Sequence, residues 1–218
     1  MRVADYIGKF WTGAEVMYGV IIAMTFTSML RSIPVILDVI LSKIILAALS
    51  CCIAWGIADG LFYLWERNYI ISRENETIEF SKKTGQTESA LTLIGEQLDD
   101  TILRNIPDEN RLHLYEKLTG FLSTVNEREK LPAREAITIV LGTFILSAGA
   151  GLIVVFPFLV IGDVKQALIV SNLSGIILLF IVGYSRALRR DFLSKFVMGF
   201  ATACIGIIIS VITVVLGG

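Results

Sequence analysis

The chain has 218 residues, of which 55% are hydrophobic and only 18% are charged, and its mean hydropathy is +0.72. A soluble domain has roughly 45–50% apolar and about 25% charged residues, so this composition does not fit an ordinary soluble protein. The formal net charge of −1 offers no basic surface for nucleic acid, which we therefore do not expect as a partner. The apolar residues are concentrated in blocks, which is typical of a protein that crosses the lipid bilayer several times.

The N-terminal part of the chain predicts two spans. The sequence MRVADYIGKFWTGAE has no short apolar core with a cleavage site, so no removable signal peptide is expected. A first span is predicted over about residues 14–30, preceded by Trp11 as an interfacial anchor. A polar connector over residues 31–43 then leads to a second span over about residues 44–65.

Residues 66–134 form an acidic segment of different composition, with 13 acidic and 10 basic residues. The apolar periodicity predicts three helices in it. The first continues the second span to about Lys83, and the second covers about residues 87–105. The third begins at Pro107, since proline followed by acidic residues is a typical helix N-terminus.

Three further apolar runs predict the remaining spans, at about residues 136–161, 167–185 and 192–216. The predicted fold class is therefore all-α: a polytopic membrane protein of five transmembrane helices with a three-helix insert between spans two and three. Its predicted domains are two spans, an acidic helical domain and three spans, over residues 1–65, 66–134 and 135–218.

The basic residues decide the predicted orientation, because lysine and arginine are enriched on the cytoplasmic side. With the N-terminus inside, that side carries 16 of the 19 lysine and arginine residues. The N-terminus and the 66–134 domain are therefore predicted to be cytoplasmic and the C-terminus to lie on the opposite side, in a prokaryote across the plasma membrane. Small residues four positions apart also predict close helix contacts, at Gly56 with Gly60, Ser147 with Gly151, and Gly199 with Ala203.

Two carboxylates lie inside the predicted spans at similar depth. Asp59 is six residues before Trp65, about 9 Å of helix rise, and Glu15 is four residues after Trp11, about 6 Å. Charges inside a membrane are costly and commonly functional, and paired carboxylates bind hard divalent cations while releasing protons. Asp59 and Glu15 are therefore predicted metal ligands. The alternatives are a hydrogen-bonded structural acid at Asp59 and an interfacial residue that reaches water at Glu15.

The acidic domain supplies further candidate ligands. Glu66, Glu76 and Glu79 lie on one predicted helix and would collect cations, although a solvated charged face is the other interpretation of such a run. The only histidine, His113, also lies in this domain. Because no nucleophile–base pair and no glycine-rich phosphate loop is present, the sequence does not predict an enzyme.

Polar or sulfur-containing residues in two spans leave alternatives open. Met17 and Met24 share a face of the first span, where packed or lipid-facing methionine is favoured over metal ligation. Ser171, Asn172 and Ser174 in the fourth span either line a path or form hydrogen bonds between helices.

The order of elements resembles the vacuolar iron transporter family, of which the chain would be a divergent member. Residues 131–218 match best, with LPAREAITIVLGTFILSAGAGLIVVFPFL, then a span ending in GYSRALRR, then FVMGFATACIGIIISVITVVLGG. Members of this family exchange ferrous iron or manganese for protons as homodimers, and the resemblance implies the same here. Ala58-Asp59 stands where the family has glycine and a metal-binding glutamate, which implies that Asp59 is a ligand of the transported ion.

The chain departs from the family in its first span and in its insert. Tyr18-Gly19 stands where the family has an Asp-Gly pair, and no methionine occurs between Met29 and Met198, although the family's insert contains methionines. The favoured hypothesis is a homodimeric, proton-coupled transporter with iron or manganese as its substrate and no tightly bound cofactor. The alternative is a non-transporting membrane scaffold of the same fold, whose insert binds a partner.

Overall fold

The computed structural model describes residues 3–31, 33, 35, 37–84, 88–98, 101–188 and 191–215. Within these residues the chain is helical and contains no strand, which confirms the all-α fold class. The helices are α1 (Ala4–Ser28), α2 (Asp38–Thr84), α3 (Glu88–Leu98), α4 (Asp108–Leu122), α5 (Ala133–Val155), α6 (Pro157–Val160), α7 (Val164–Arg186) and α8 (Phe192–Val215).

Five of these helices are long and apolar enough to cross a membrane, which agrees with the five predicted spans. They are α1 with the 3₁₀ turn that follows it, α2, α5, α7 and α8. Their length and composition are consistent with a multi-pass membrane protein.

The chain divides into two compact units. The five-helix unit contains Met1–Leu64 and Ala133–Gly218, and the insert unit contains Trp65–Pro132. Helix α2 contributes residues to both units, because the division falls within it.

Several element bounds differ from those predicted. The first helix begins at Ala4, and Gly8 interrupts it with φ +83°, a conformation that residues with a Cβ rarely adopt. Helix α2 begins at Asp38, so part of the predicted connector is helical. An acidic residue in the first turn favours that start. The helix ends at Thr84, close to the predicted Lys83.

The predicted helix over residues 87–105 is too long. Helix α3 ends at Leu98, and a separate 3₁₀ turn follows at Ile102–Asn105, where the Thr101 hydroxyl accepts a hydrogen bond from the Leu103 N–H. Such local side-chain bonds compete with helix formation. Likewise, the third span ends at Val155, because Pro157 starts a new short helix and has no N–H to continue the old one.

Helix α1 is the most buried of the five candidate spans, and it contacts α5, α7 and α8. Its most buried residues pack with others in a first apolar cluster of Val20, Ala23, Met24, Cys52, Ala150, Val154 and Leu179. A second apolar cluster contains Leu30, Val155, Phe158 and Ala167. Met17 packs against the first cluster and Met24 belongs to it, which agrees with the packed-methionine interpretation.

The small residues bring helices of the same chain close together, as predicted. A Cβ added at Gly60 would overlap Thr143 and Val140 of α5, and one at Gly151 would overlap Cys52 of α2. Gly199 lies in the same way against Phe180 of α7. Because these pairs are used within one chain, they no longer argue for contact with a second copy, and the homodimer stays a prediction.

Candidate functional site

Glu15 is fully buried in the five-helix unit, with 0% of its surface exposed. Its Oε1 accepts a hydrogen bond of 3.1 Å from the Tyr63 hydroxyl. Its carboxyl group also lies close to the Asp59 carboxyl group. Two ionised carboxylates only accept hydrogen bonds, so neither of these groups can satisfy the other. Consistent with that, Glu15 Oε2 has no donor group as a partner in the described part of the chain.

The two acids that the sequence placed at similar depth are therefore adjacent. Glu15 does not reach the surface, which removes the interpretation of Glu15 as an interfacial residue in contact with water. Asp59 is half-buried. Asp59 and Tyr63 are one turn apart on α2 and so share the face that meets α1.

Aromatic and polar contacts hold α2 in this position. The Trp11 and Tyr63 rings lie with their centroids 6.1 Å apart, and the Tyr18 and Trp55 rings 5.7 Å apart. Both contacts join α1 to α2. The aromatic residues therefore fix the approach of the two helices on either side of the carboxyl pair.

Deeper in the unit, two hydrogen bonds join helices α1, α2 and α5. The Cys52 thiol donates to the Gly19 carbonyl oxygen of α1 at 3.4 Å, and the Ser147 hydroxyl of α5 donates to the Cys52 carbonyl oxygen at 3.0 Å. These bonds fix the rotation of α2 about its axis, and with it the direction in which Asp59 points.

Tyr63 is a site residue that sequence reasoning missed. The available signal was its spacing, because a residue four positions after Asp59 lies on the same helix face. Tyr63 was overlooked because an aromatic residue near the end of a predicted span is usually an interfacial anchor.

Carboxyl pairs of this kind suit a hard cation. Carboxylate and phenol oxygens are ligands of such ions, and a cation bound between two carboxylates offsets their mutual repulsion. No lysine or arginine in the described ranges forms an ion pair with Glu15 or Asp59. The same ranges contain no group of three or more His, Cys, Asp or Glu residues that could hold a metal. A cation at the pair would therefore complete its shell with water, hydroxyl or backbone oxygens.

The predicted ligands of the insert unit have a different setting. Glu66, Glu76 and Glu79 are all exposed, and they do not assemble with other described acids into a metal-holding group. Glu79 pairs with Lys83 one turn later, and this hydrogen-bonded ammonium lowers the pKa of the Glu79 carboxyl. Two further acids of the insert, Asp99 and Asp100, lie outside the described residues.

In the fourth span, the polar residues do not form bonds between helices among the described residues. Ser171 is fully buried, and its Oγ has no partner in that part of the chain. Asn172 donates from Nδ2 to the Leu168 carbonyl oxygen of its own helix. Ser174 is half-buried.

These features define a helical protein with five candidate spans and a buried carboxyl pair in its five-helix unit. Comparisons with models of known protein families, with curated proteins and with solved structures find no match for the chain. The resemblance in the order of elements therefore remains a hypothesis about its family.

Proposed function

We propose that the protein transports a divalent metal ion, ferrous iron or manganese, across a membrane in exchange for protons. The observation that carries this proposal is the carboxyl pair of Glu15 and Asp59, supplied by two different spans inside an apolar unit. Such a pair is costly to bury, and neither acid has a basic residue beside it among the described ion pairs. The resemblance to the vacuolar iron transporter family supports the same function.

In the proposed mechanism, a proton and a divalent cation replace each other at the carboxyl pair. Without metal, the two carboxyl groups share a proton, because two adjacent negative charges repel each other. A divalent cation replaces that proton when it binds, so metal and proton occupy the pair alternately. The Tyr63 hydroxyl, which donates to Glu15 Oε1, orients the Glu15 carboxyl group for this exchange.

The proposal includes an orientation and an assembly. The N-terminus and the insert unit would be cytoplasmic, where most lysine and arginine residues would lie, and the C-terminus would be on the opposite side. The exposed acids Glu66, Glu76 and Glu79 would collect cations on the cytoplasmic side. The active form would be a homodimer.

The test is uptake of Mn²⁺ and Fe²⁺ by the full-length protein in proteoliposomes under a pH gradient. Asp59→Asn should lower uptake at least about tenfold, since it removes a ligand charge at similar size. The matched control is Asp38→Asn, the same change at an exposed position of the same helix, which should leave uptake unchanged. Uptake by Asp59→Asn at the wild-type rate would overturn the proposal.

A non-transporting scaffold is the second candidate function, and the geometry of the insert unit favours it. A cleft of about 450 Å³ between α3 and α4 is lined by charged residues, among them Glu88 and Glu96, and by the Tyr115 ring. Binding of Mn²⁺ to the full-length protein in detergent separates the two functions. Saturable binding that Asp59→Asn abolishes supports transport, and no saturable binding supports the scaffold.

A further inference from the structure

A layer of uncharged polar residues lies toward the end of α1 remote from Glu15. Ser28 and Ser171 are fully buried, and Asn172 is only 8% exposed. The Ser28 Oγ, Ser171 Oγ and Asn172 Oδ1 atoms are all buried, and none has a hydrogen-bond partner in the described part of the chain. An unpartnered buried polar group destabilises the folded protein, so stability alone does not explain three of them.

The packing of α1 against α7 brings these residues to one level. A Cβ added at Gly175 would touch Met24 and would lie 3.3 Å from Val20 Cγ1. Further along, Leu30 of the 3₁₀ turn that follows α1 and Ala167 of α7 belong to the same second apolar cluster. The helices therefore run antiparallel. Residues between these two contacts, including Ser28 on α1 and Ser171 with Asn172 on α7, lie at the same level.

Apolar clusters enclose this layer on both sides. The first apolar cluster, which contains Val20 and Met24, lies between this layer and Glu15. The second, which contains Leu30 and Ala167, lies on the other side of the layer, near the start of α7. Hydroxyl and amide oxygens that protein groups leave unsatisfied are the usual binding places of buried water. Neutral oxygens are also ligands of hard cations.

We propose that Ser28, Ser171 and Asn172 form a second, uncharged oxygen site that holds water and receives the hydrated cation on its way to or from the carboxyl pair. Ser28 lies thirteen residues after Glu15, about 20 Å of helix rise. The first apolar cluster separates the two sites, as a transporter requires when only one side is open at a time. The passage of a cation rests on the proposed function, whereas the presence of water does not.

Cysteine accessibility tests for water without any transport assay. In the full-length protein with the partly exposed Cys51 and Cys204 replaced by alanine, Ser171→Cys is compared with Ala167→Cys for reaction with a membrane-impermeant thiol reagent. Cys52 is kept, because it is fully buried and its thiol bonds to the Gly19 carbonyl oxygen. Ala167 is one turn nearer the start of α7 but lies in the second apolar cluster. We expect Ser171→Cys to react at least about tenfold faster, because only a hydrated thiol forms a reactive thiolate.

Protection by metal tests the ligand in the same assay. Millimolar Mn²⁺ should slow the labelling of Ser171→Cys, and millimolar K⁺ should not. Equal or slower labelling of Ser171→Cys than of Ala167→Cys would overturn the water site, and labelling that Mn²⁺ does not slow would overturn the cation site. If Asp59→Asn transports normally while Mn²⁺ still protects Ser171→Cys, the carboxyl-pair mechanism is wrong and the second site stands.

A stability measurement keeps the proposal testable if the cysteine variants fold poorly. The double variant Ser28→Ala, Ser171→Ala removes two unpartnered hydroxyls, so its melting temperature should equal or exceed that of the wild type while uptake falls about tenfold. The control is Thr143→Val, which removes a buried hydroxyl that bonds to the Ile139 carbonyl oxygen of its own helix and should keep its uptake. A lower melting temperature or unchanged uptake in the double variant would show that the hydroxyls are structural.

Discussion

Carboxyl groups meet opposite surroundings in the two units of this protein. In the five-helix unit, Glu15 is fully buried and its neighbours are Asp59 and Tyr63. In the insert unit, Glu79 is exposed and paired with Lys83, and Glu74 is paired with Arg128 at 2.8 Å. The same side-chain chemistry therefore has no basic partner among the described ion pairs in one unit and is paired with a base in the other. Only the first arrangement calls for a proton or a metal ion.

The difference follows from the composition of the helices. The apolar spans contain few basic residues, and none of the described ones forms an ion pair with Glu15 or Asp59. In the insert, acids and bases alternate along the chain and fall at helical spacings, so exposed ion pairs form locally. Such exposed pairs contribute little to stability and compete with metal for the carboxylate.

The largest expected effect comes from removing the charge of the buried pair. Glu15→Gln should lower Mn²⁺ uptake at least about tenfold, because it removes a ligand charge while it keeps the side-chain volume. The matched variant Glu109→Gln makes the same change at an exposed position of α4 and should change uptake less than about twofold. A similar loss of Mn²⁺ uptake in both variants would show that the acids of the two units do not differ in their role.

A smaller effect is expected from the phenol that orients Glu15. Tyr63→Phe removes the hydroxyl donor to Glu15 Oε1 and should destabilise the protein by about 1 kcal/mol, measured by chemical unfolding in detergent. It should also weaken Mn²⁺ binding several-fold, because Glu15 is then free to rotate. Tyr184→Phe, which keeps the ring contact with Phe180, is the control. A Tyr63→Phe protein with wild-type stability and binding would show that the phenol is incidental.

In the insert unit, two hydrogen bonds join Asn75 of α2 to the segment that follows α4. Asn75 donates from Nδ2 to the Arg128 carbonyl oxygen at 2.8 Å and accepts from the Arg128 N–H at 2.7 Å. Asn75→Ala should destabilise the contact by about 1 kcal/mol, seen as faster hydrogen–deuterium exchange at residues 124–130, with uptake unchanged. Ser72→Ala removes only a bond within one helix and should leave that exchange as it is.

The smallest effect concerns the exposed pair of Glu79 and Lys83. Because the folded pKa of Glu79 is lowered, the pair's contribution is present above the ordinary carboxyl pKa and is lost as the pH falls through the folded value. Lys83→Gln should raise the pKa of Glu79 toward its ordinary value, measured by NMR titration of its carboxyl carbon. The melting temperature at neutral pH should not change measurably. An unshifted Glu79 titration would show that the pair does not persist in solution.

Counting residues along single helices was enough to predict much of the candidate site. The distances from Trp11 to Glu15 and from Asp59 to Trp65 predicted a common depth, since helix rise per residue is constant. The rotation of each helix about its axis could not be predicted in the same way. That rotation depends on contacts such as the Cys52 thiol with the Gly19 carbonyl oxygen, which lie far apart in the sequence.

The fold class, the number of candidate spans and the positions of the two acids follow from the sequence alone, because hydropathy, helix period and charge are properties of local segments. The tertiary structure adds that α1 is the most buried span, that Tyr63 donates a hydrogen bond to Glu15, and that the polar atoms of Ser171 and Asn172 do not bond between helices among the described residues. These features depend on which faces of distant helices meet. The faces that meet are decided by side-chain volumes and close glycine contacts throughout the unit, so they cannot be predicted from any single segment.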